Sequence, residues 1–105
     1  MFETNIKVYP LHSPRTGEAV KNQYDIYDFT TGTSIFQSYD TQCASLHKST
    51  LIVSKYAFCS VTTAKYFRIW AENYYVKQEA ILQAKKAIKE GAESVTIENA
   101  LETNY

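Results

Sequence analysis

Three features of this sequence predict an α+β fold, with a small antiparallel sheet of three to five strands packed against a long C-terminal helix. Up to about residue 60, aromatic and β-branched residues alternate with polar ones between turn-forming residues. From residue 64 to residue 90 there is neither glycine nor proline to break a helix. The composition, 45% hydrophobic and 21% charged, is that of a chain that folds. At 105 residues one modest core fits and a second domain does not. The organisation expected is a single domain over residues 1–105: mainly strands and turns over 1–60, a long helix over 61–90, and an acidic tail or short helix over 91–105.

In chain order, Ile6, Val8 and Pro10 alternate with Lys7 and Tyr9, which suits an edge strand brought to a stop by the proline. Ser13-Pro14-Arg15-Thr16-Gly17 has turn chemistry. Residues 22–29 read as a central strand with Tyr24 and Ile26 on one face and Tyr27 and Phe29 on the other. Thr30-Thr31-Gly32-Thr33 then turns the chain into a second strand over 34–39, giving an antiparallel hairpin. Asp40 or Thr41 is placed to cap a short helix near residues 41–47, with Cys43, Ala44 and Leu46 as its apolar surface. Leu51-Ile52-Val53 reads as a buried strand, and residues 56–60 as a strand or a packed connection.

Ser60-Val61-Thr62-Thr63 supplies hydroxyls that start a helix. Phe67, Trp70, Ala71 and Tyr74 fall at i, i+3, i+4 and i+7, the spacing of one buried face. The stripe continues at seven-residue intervals through Ile81 and Ile88. An unbroken helix over residues 63–90 would be roughly 40 Å long, more than one small sheet covers. Its distal half therefore needs another apolar surface: the tail folded back through Val95, Ile97 and Leu101, or a second copy of the chain. A kink or turn near residues 73–76, where helix propensity drops, is the alternative. Gly91 is a natural stop, and Thr96 is placed to cap a final short turn.

Formal net charge is +0, which argues against a protein living on phosphate contacts. Charge is nonetheless uneven: residues 61–89 carry six cations against two glutamates, whereas residues 90–105 carry four glutamates and no cation. The two cysteines, Cys43 and Cys59, are too far apart for a Cys-x-x-Cys pair and read as buried free thiols. No basic n-region or apolar h-region opens the chain and no apolar run approaches a membrane span, so a cytoplasmic protein without membrane contact is expected.

Bond-making chemistry is not gathered anywhere. His12 and His47 have no second ligand at metal spacing, Asp25 and Asp28 fall on opposite strand faces, and Gly17, Gly32 and Gly91 stand alone. The expectation is no enzyme, no metal and no cofactor. What remains is nine tyrosines, which either cover a thin core or serve an interface. Partner-binding candidates are Tyr66, Tyr74, Tyr75, Ile81 and Ile88, the last two also as the seam of a homodimer through the distal helix. A second candidate surface is the helix start, where Thr62, Thr63, Lys65 and Arg68 suit an anion or a nucleic-acid phosphate; plain N-capping accounts equally for the threonines.

Asn22-Gln23-Tyr24, Phe36-Gln37-Ser38-Tyr39-Asp40-Thr41 with Ala44 close behind, and Ser60-Val61-Thr62-Thr63-Ala64-Lys65-Tyr66 together resemble a family of very small uncharacterised proteins encoded by bacteriophages, plasmids and other mobile elements. The likeness spans residues 13–74, and Cys59 stands where that pattern has tyrosine. It implies a source rather than a reaction: a cytoplasmic protein of a bacterial host that acts by docking. The function expected is a non-enzymatic protein-binding factor, an inhibitor of a host defence or housekeeping complex, with a nucleic-acid-binding regulator as the alternative.

Overall fold

The computed structural model describes residues 5–102. Residues 1–4, which bear on the leader reading, and 103–105, the end of the tail, lie outside the described residues. The fold is α+β: a six-stranded sheet in which strands follow one another in sequence order and every neighbouring pair is antiparallel. Its strands are β1 (Ile6–His12), β2 (Ala19–Asp28), β3 (Thr33–Ser38), β4 (Thr41–His47), β5 (Thr50–Ser54) and β6 (Ser94–Ile97). A 3-10 turn, Lys55–Phe58, leads from β5 into helix α1 (Val61–Asn73), and helix α2 (Gln78–Lys89) precedes β6. Among the described residues no helix is long and apolar enough to cross a membrane.

The hairpin of β2 and β3 forms as the alternation predicts, with Ile26 opposite Ile35 and Gly32 closing the turn at φ 71°. Pro10 does not end β1. It sits on the free edge of the sheet, where a missing N–H costs no ladder bond, and the register shifts just after it. Residues 41–47 form a strand, not the expected short helix. Between β3 and β5 their backbone completes two ladders, a tertiary gain that outweighs local propensity, and the register shift opposite Phe36/Gln37 leaves Cys43 as a bulge, so that Cys43, Ala44 and Leu46 all lie buried. The cap read at Asp40 is instead a two-residue turn with Tyr39 at φ 56°.

The single long helix is also corrected. After Asn73 the chain turns, Tyr75 takes a left-handed φ of 61°, and Val76 pairs with Leu101 in an isolated bridge before α2 starts. Lys77 N–H bonds the Ala100 carbonyl at 2.7 Å. The break lies where weak helix formers cluster and where the returning tail offers the backbone other partners. That tail supplies the sixth strand rather than a capped turn at Thr96: Leu51 faces Ile97 and Val53 faces Val95. Helix α2 ends just before it in a Schellman motif in which Ala92 N–H reaches the Ala87 carbonyl and Gly91 N–H the Ile88 carbonyl, with Gly91 at φ 111°.

Side chains 23, 25 and 27 of β2, 34, 36 and 38 of β3, 44 and 46 of β4, and 51 and 53 of β5 share the face that the helices cover, as register and burial agree. Phe36, Phe67 and Trp70 form the aromatic centre, with ring centroids 6.1–6.2 Å apart. Ile81, Ala84, Ile97 and Ala100 extend the core beneath α2. Cys43 is buried and Cys59, contrary to expectation, is exposed; both thiols are free.

Candidate functional site

The three sequence runs quoted for the family resemblance converge. The Asn22 backbone, at φ 69°, offers its carbonyl to Tyr39 N–H at 2.7 Å. Its neighbour Gln23 lies opposite Ser38. Ser38 Oγ shares a hydrogen bond with Thr63 Oγ1 at 3.0 Å, and Ser60 Oγ both donates to Thr63 Oγ1 and caps Thr63 N–H, each at 3.0 Å. Ser38 and Thr63 are buried, as is Gln23, whose Oε1 has no partner. This polar knot pins the start of α1 to the middle of the sheet. Serine suits position 60 because the first helical N–H groups have no carbonyl partner, and a short hydroxyl side chain reaches back to one of them.

A second cluster lies one turn of alternation further along β2. Asp25 points under α1, where its Oδ1 accepts the Trp70 indole N–H at 3.0 Å and its Oδ2 the Tyr74 hydroxyl at 2.5 Å. Burial pushes the Asp25 carboxyl above its ordinary range, against the opposing pull of these two donors. Burial, and next the bond to Asp25, push the Tyr74 hydroxyl up to about 12. Beside Asp25 opens a cavity of about 430 Å³ between β1 and the end of α1, lined on its polar side by His12, Ser13 and Asn73. His12 Nδ1 donates to the Gly17 carbonyl at 2.9 Å, which leaves Nε2 as the free ring nitrogen. Among the described residues no group of three His, Cys, Asp or Glu side chains is gathered as metal ligands.

Among the described residues no helix covers the other face of the sheet. Across it, Val8, Ile26, Ile35, Ser45, Ile52 and Thr96 stand opposite one another in a single row spanning all six strands. Val8 is 56% and Ile52 43% exposed, with Ile6 at 47% in the next row. The row contains no charged side chain.

The residues singled out from sequence are dispersed. Tyr66 and Ile81 are buried in the core, Ile81 at 1% exposure, so neither presents its side chain to a partner. Tyr74 is turned inward onto Asp25, and Ile88 is half-buried against the core; Tyr75 alone of the five is widely open, at 72%. The distal-helix seam is filled by the chain's own tail, since Ile97 and Ala100 cover the face of α2 that carries Ile81 and Ala84. At the helix start Thr63 is committed to Ser38 and Ser60, whereas Thr62, Lys65 and Arg68 keep their side chains at the surface. Lys65 Nζ lies 5.5 Å from the Tyr66 ring centroid. None of Lys65, Arg68, Lys85, Lys86 or Lys89 is in an ion pair among the described residues; the tail instead reaches Lys55 through Glu93, at 2.8 Å.

Sequence reasoning weighed Asp25 only as a carboxylate partner for Asp28 and set it aside. The available signal was a carboxylate on the same strand face as Gln23 and Tyr27, a position that must be either buried or at a site.

A family model matches residues 6–91. The chain belongs to DUF8033, a family of unknown function. The DUF8033 match covers β1 to β5 and both helices, and so runs beyond residue 74, where the motif likeness stops. The polar knot and the Asp25, Trp70 and Tyr74 cluster all fall within it. No curated protein and no solved structure matches the chain.

Proposed function

We propose that this chain is a non-enzymatic protein-binding factor of phage or mobile-element origin that docks on a host protein complex and inhibits it. The observation that carries the reading is the uncovered sheet face with its charge-free row of Val8, Ile26, Ile35 and Ile52. In a small domain, an uncovered row with apolar side chains at Val8, Ile26, Ile35 and Ile52, broken only by the small hydroxyls of Ser45 and Thr96, is a stripe that a partner buries. Its lack of charge selects a partner surface that is itself apolar and uncharged, because burying an unmatched charge there would cost more than the contact returns. Strand backbones make the row rigid, so docking on it demands little ordering.

The test is reconstitution with a purified partner recovered from host lysate. Val8→Lys/Ile52→Lys changes two exposed side chains and leaves the core intact, so it is expected to keep the melting temperature and to abolish the complex. Lys85→Glu/Lys86→Glu, on the helix side, is expected to keep the complex. Failure to recover a stoichiometric partner, or retention of the complex by the Val8→Lys/Ile52→Lys variant, overturns the reading. A complex with DNA or RNA that weakens steeply with salt and is lost on removing Lys65 and Arg68 would put the nucleic-acid regulator in its place.

A further inference from the structure

Among the described residues Asp25 is a carboxylate without a counter-ion. An ionised carboxylate offers about four acceptor positions. Two are taken here, one by an indole N–H and one by a phenol O–H, and both donors are neutral. No Lys, Arg or His lies within ion-pair distance of it among the described residues. The group is half-buried, and its carboxyl is held above the ordinary range by that burial. A partly buried negative charge of this kind is costly unless something pairs with it.

The surroundings suit one kind of pairing group. The cavity beside Asp25, at about 430 Å³, lies within the range of small-ligand sites. Tyr9, Leu11 and Ile69 give it an apolar flank, and His12, Ser13 and Asn73 a polar one. Tyr9 is the cross-strand neighbour of Asp25, which sets an aromatic residue next to the carboxylate. A carboxylate, an adjacent aromatic residue and an apolar wall together match a cation on an aliphatic stem. An anion would meet repulsion from Asp25, and a neutral alcohol would leave its charge unmatched.

We propose that the cleft between β1 and the end of α1 binds an alkylammonium or alkylguanidinium group, with the Asp25 carboxylate as its counter-ion. The two sources of that chemistry are a free small amine and a Lys or Arg side chain of another protein. The cleft lies on the helix-covered side of the sheet, so its occupancy is separable from docking on the apolar row.

Trp70 is the one tryptophan in the chain and its indole N–H donates to Asp25, so its resonance in a ¹⁵N-labelled sample reports directly on the site. Titration of the full chain with n-butylammonium or n-butylguanidinium chloride is expected to move that resonance saturably. Matched n-butanol and sodium chloride are expected to leave it in place. Asp25→Asn is expected to weaken binding about tenfold or more, the scale of one charged hydrogen bond; Ser13→Leu, which narrows the cleft without adding a second indole and spares Asp25, is expected to weaken it as well. Should Asp25→Asn fail to fold, the comparison of butylammonium with butanol on the natural chain still decides. A blocked tripeptide carrying one Lys or Arg separates the sources: binding as tight as the free cation identifies a side chain, and binding of the free cation alone identifies a small amine. A Trp70 resonance that no cation moves saturably, or that butanol moves equally, overturns the proposal.

Discussion

Thr63 is where the polar knot is most exposed to a single substitution. Thr63→Val keeps the β-branched shape and removes one hydroxyl that bonds both Ser38 and Ser60, each at 3.0 Å. Ser60 is solvent-exposed and still caps the backbone N–H of residue 63, so its loss is made up by water. Ser38 is 4% exposed and has no such recourse. Leaving one buried hydroxyl unpaired costs about 1–3 kcal/mol, and in a domain of this size that lowers the melting temperature by on the order of 10 °C. Adding Ser38→Ala removes the stranded group, so the double variant is expected to be more stable than Thr63→Val alone. Urea titrations followed by Trp70 fluorescence and by circular dichroism, with a constant m-value, measure both differences. If Thr63→Val lies within about 0.3 kcal/mol of the natural chain, or if the two substitutions simply add, the knot is not a buried coupled unit.

Other consequences are equally checkable. Because the Asp25 carboxyl is raised on folding, its contribution is fully present below its ordinary value of 3.8 and is lost as pH rises through the folded value. Melting curves against pH should therefore show the natural chain losing stability relative to Asp25→Asn across that window, and a parallel pair of profiles would refute it. Ile81→Asp places a carboxylate at a 1% exposed core position and should cost more than about 4 kcal/mol, abolishing the cooperative melt; a folded Ile81→Asp would instead restore the idea of an exposed helix seam. Native protein should yield one fast-reacting thiol, Cys59, while Cys43, buried and with its thiol pushed up by that burial, reacts only on unfolding. Equal rates at the two cysteines would contradict the burial.

Much of this fold is readable where the signal is local. The β2–β3 hairpin follows from alternation on either side of a glycine turn, and the start of α1 from a hydroxyl able to reach its first free N–H groups. Gly91 ends α2 because glycine tolerates φ 111°. The misreadings share one cause. Residues 42–46 have a composition that suits either a short helix or a strand, and the choice was made by open ladders on β3 and β5. The heptad spacing through Ile81 and Ile88 implied one rod, yet the backbone over 74–77 bonds partly to Ala100, far along the chain. Asp25 was legible only as a misplaced charge, since Trp70 and Tyr74 stand 45 and 49 residues from it.

By itself the sequence determined the α+β class, the hairpin, the helix boundaries at Ser60 and Gly91, and the apolar stripe of α1, because each depends on residues within a turn or two of one another. Only the tertiary structure decided the number of strands, the choice of a turn over an unbroken helix near residues 73–76, the choice of the tail over a second copy as the cover of α2, and which tyrosines turn inward. Those outcomes rest on backbone groups and side chains that compete for partners across dozens of residues, and a one-dimensional pattern does not record who wins that competition. The open sheet face and the cleft at Asp25 belong to the same class: both are defined by what the two helices cover and what they leave bare.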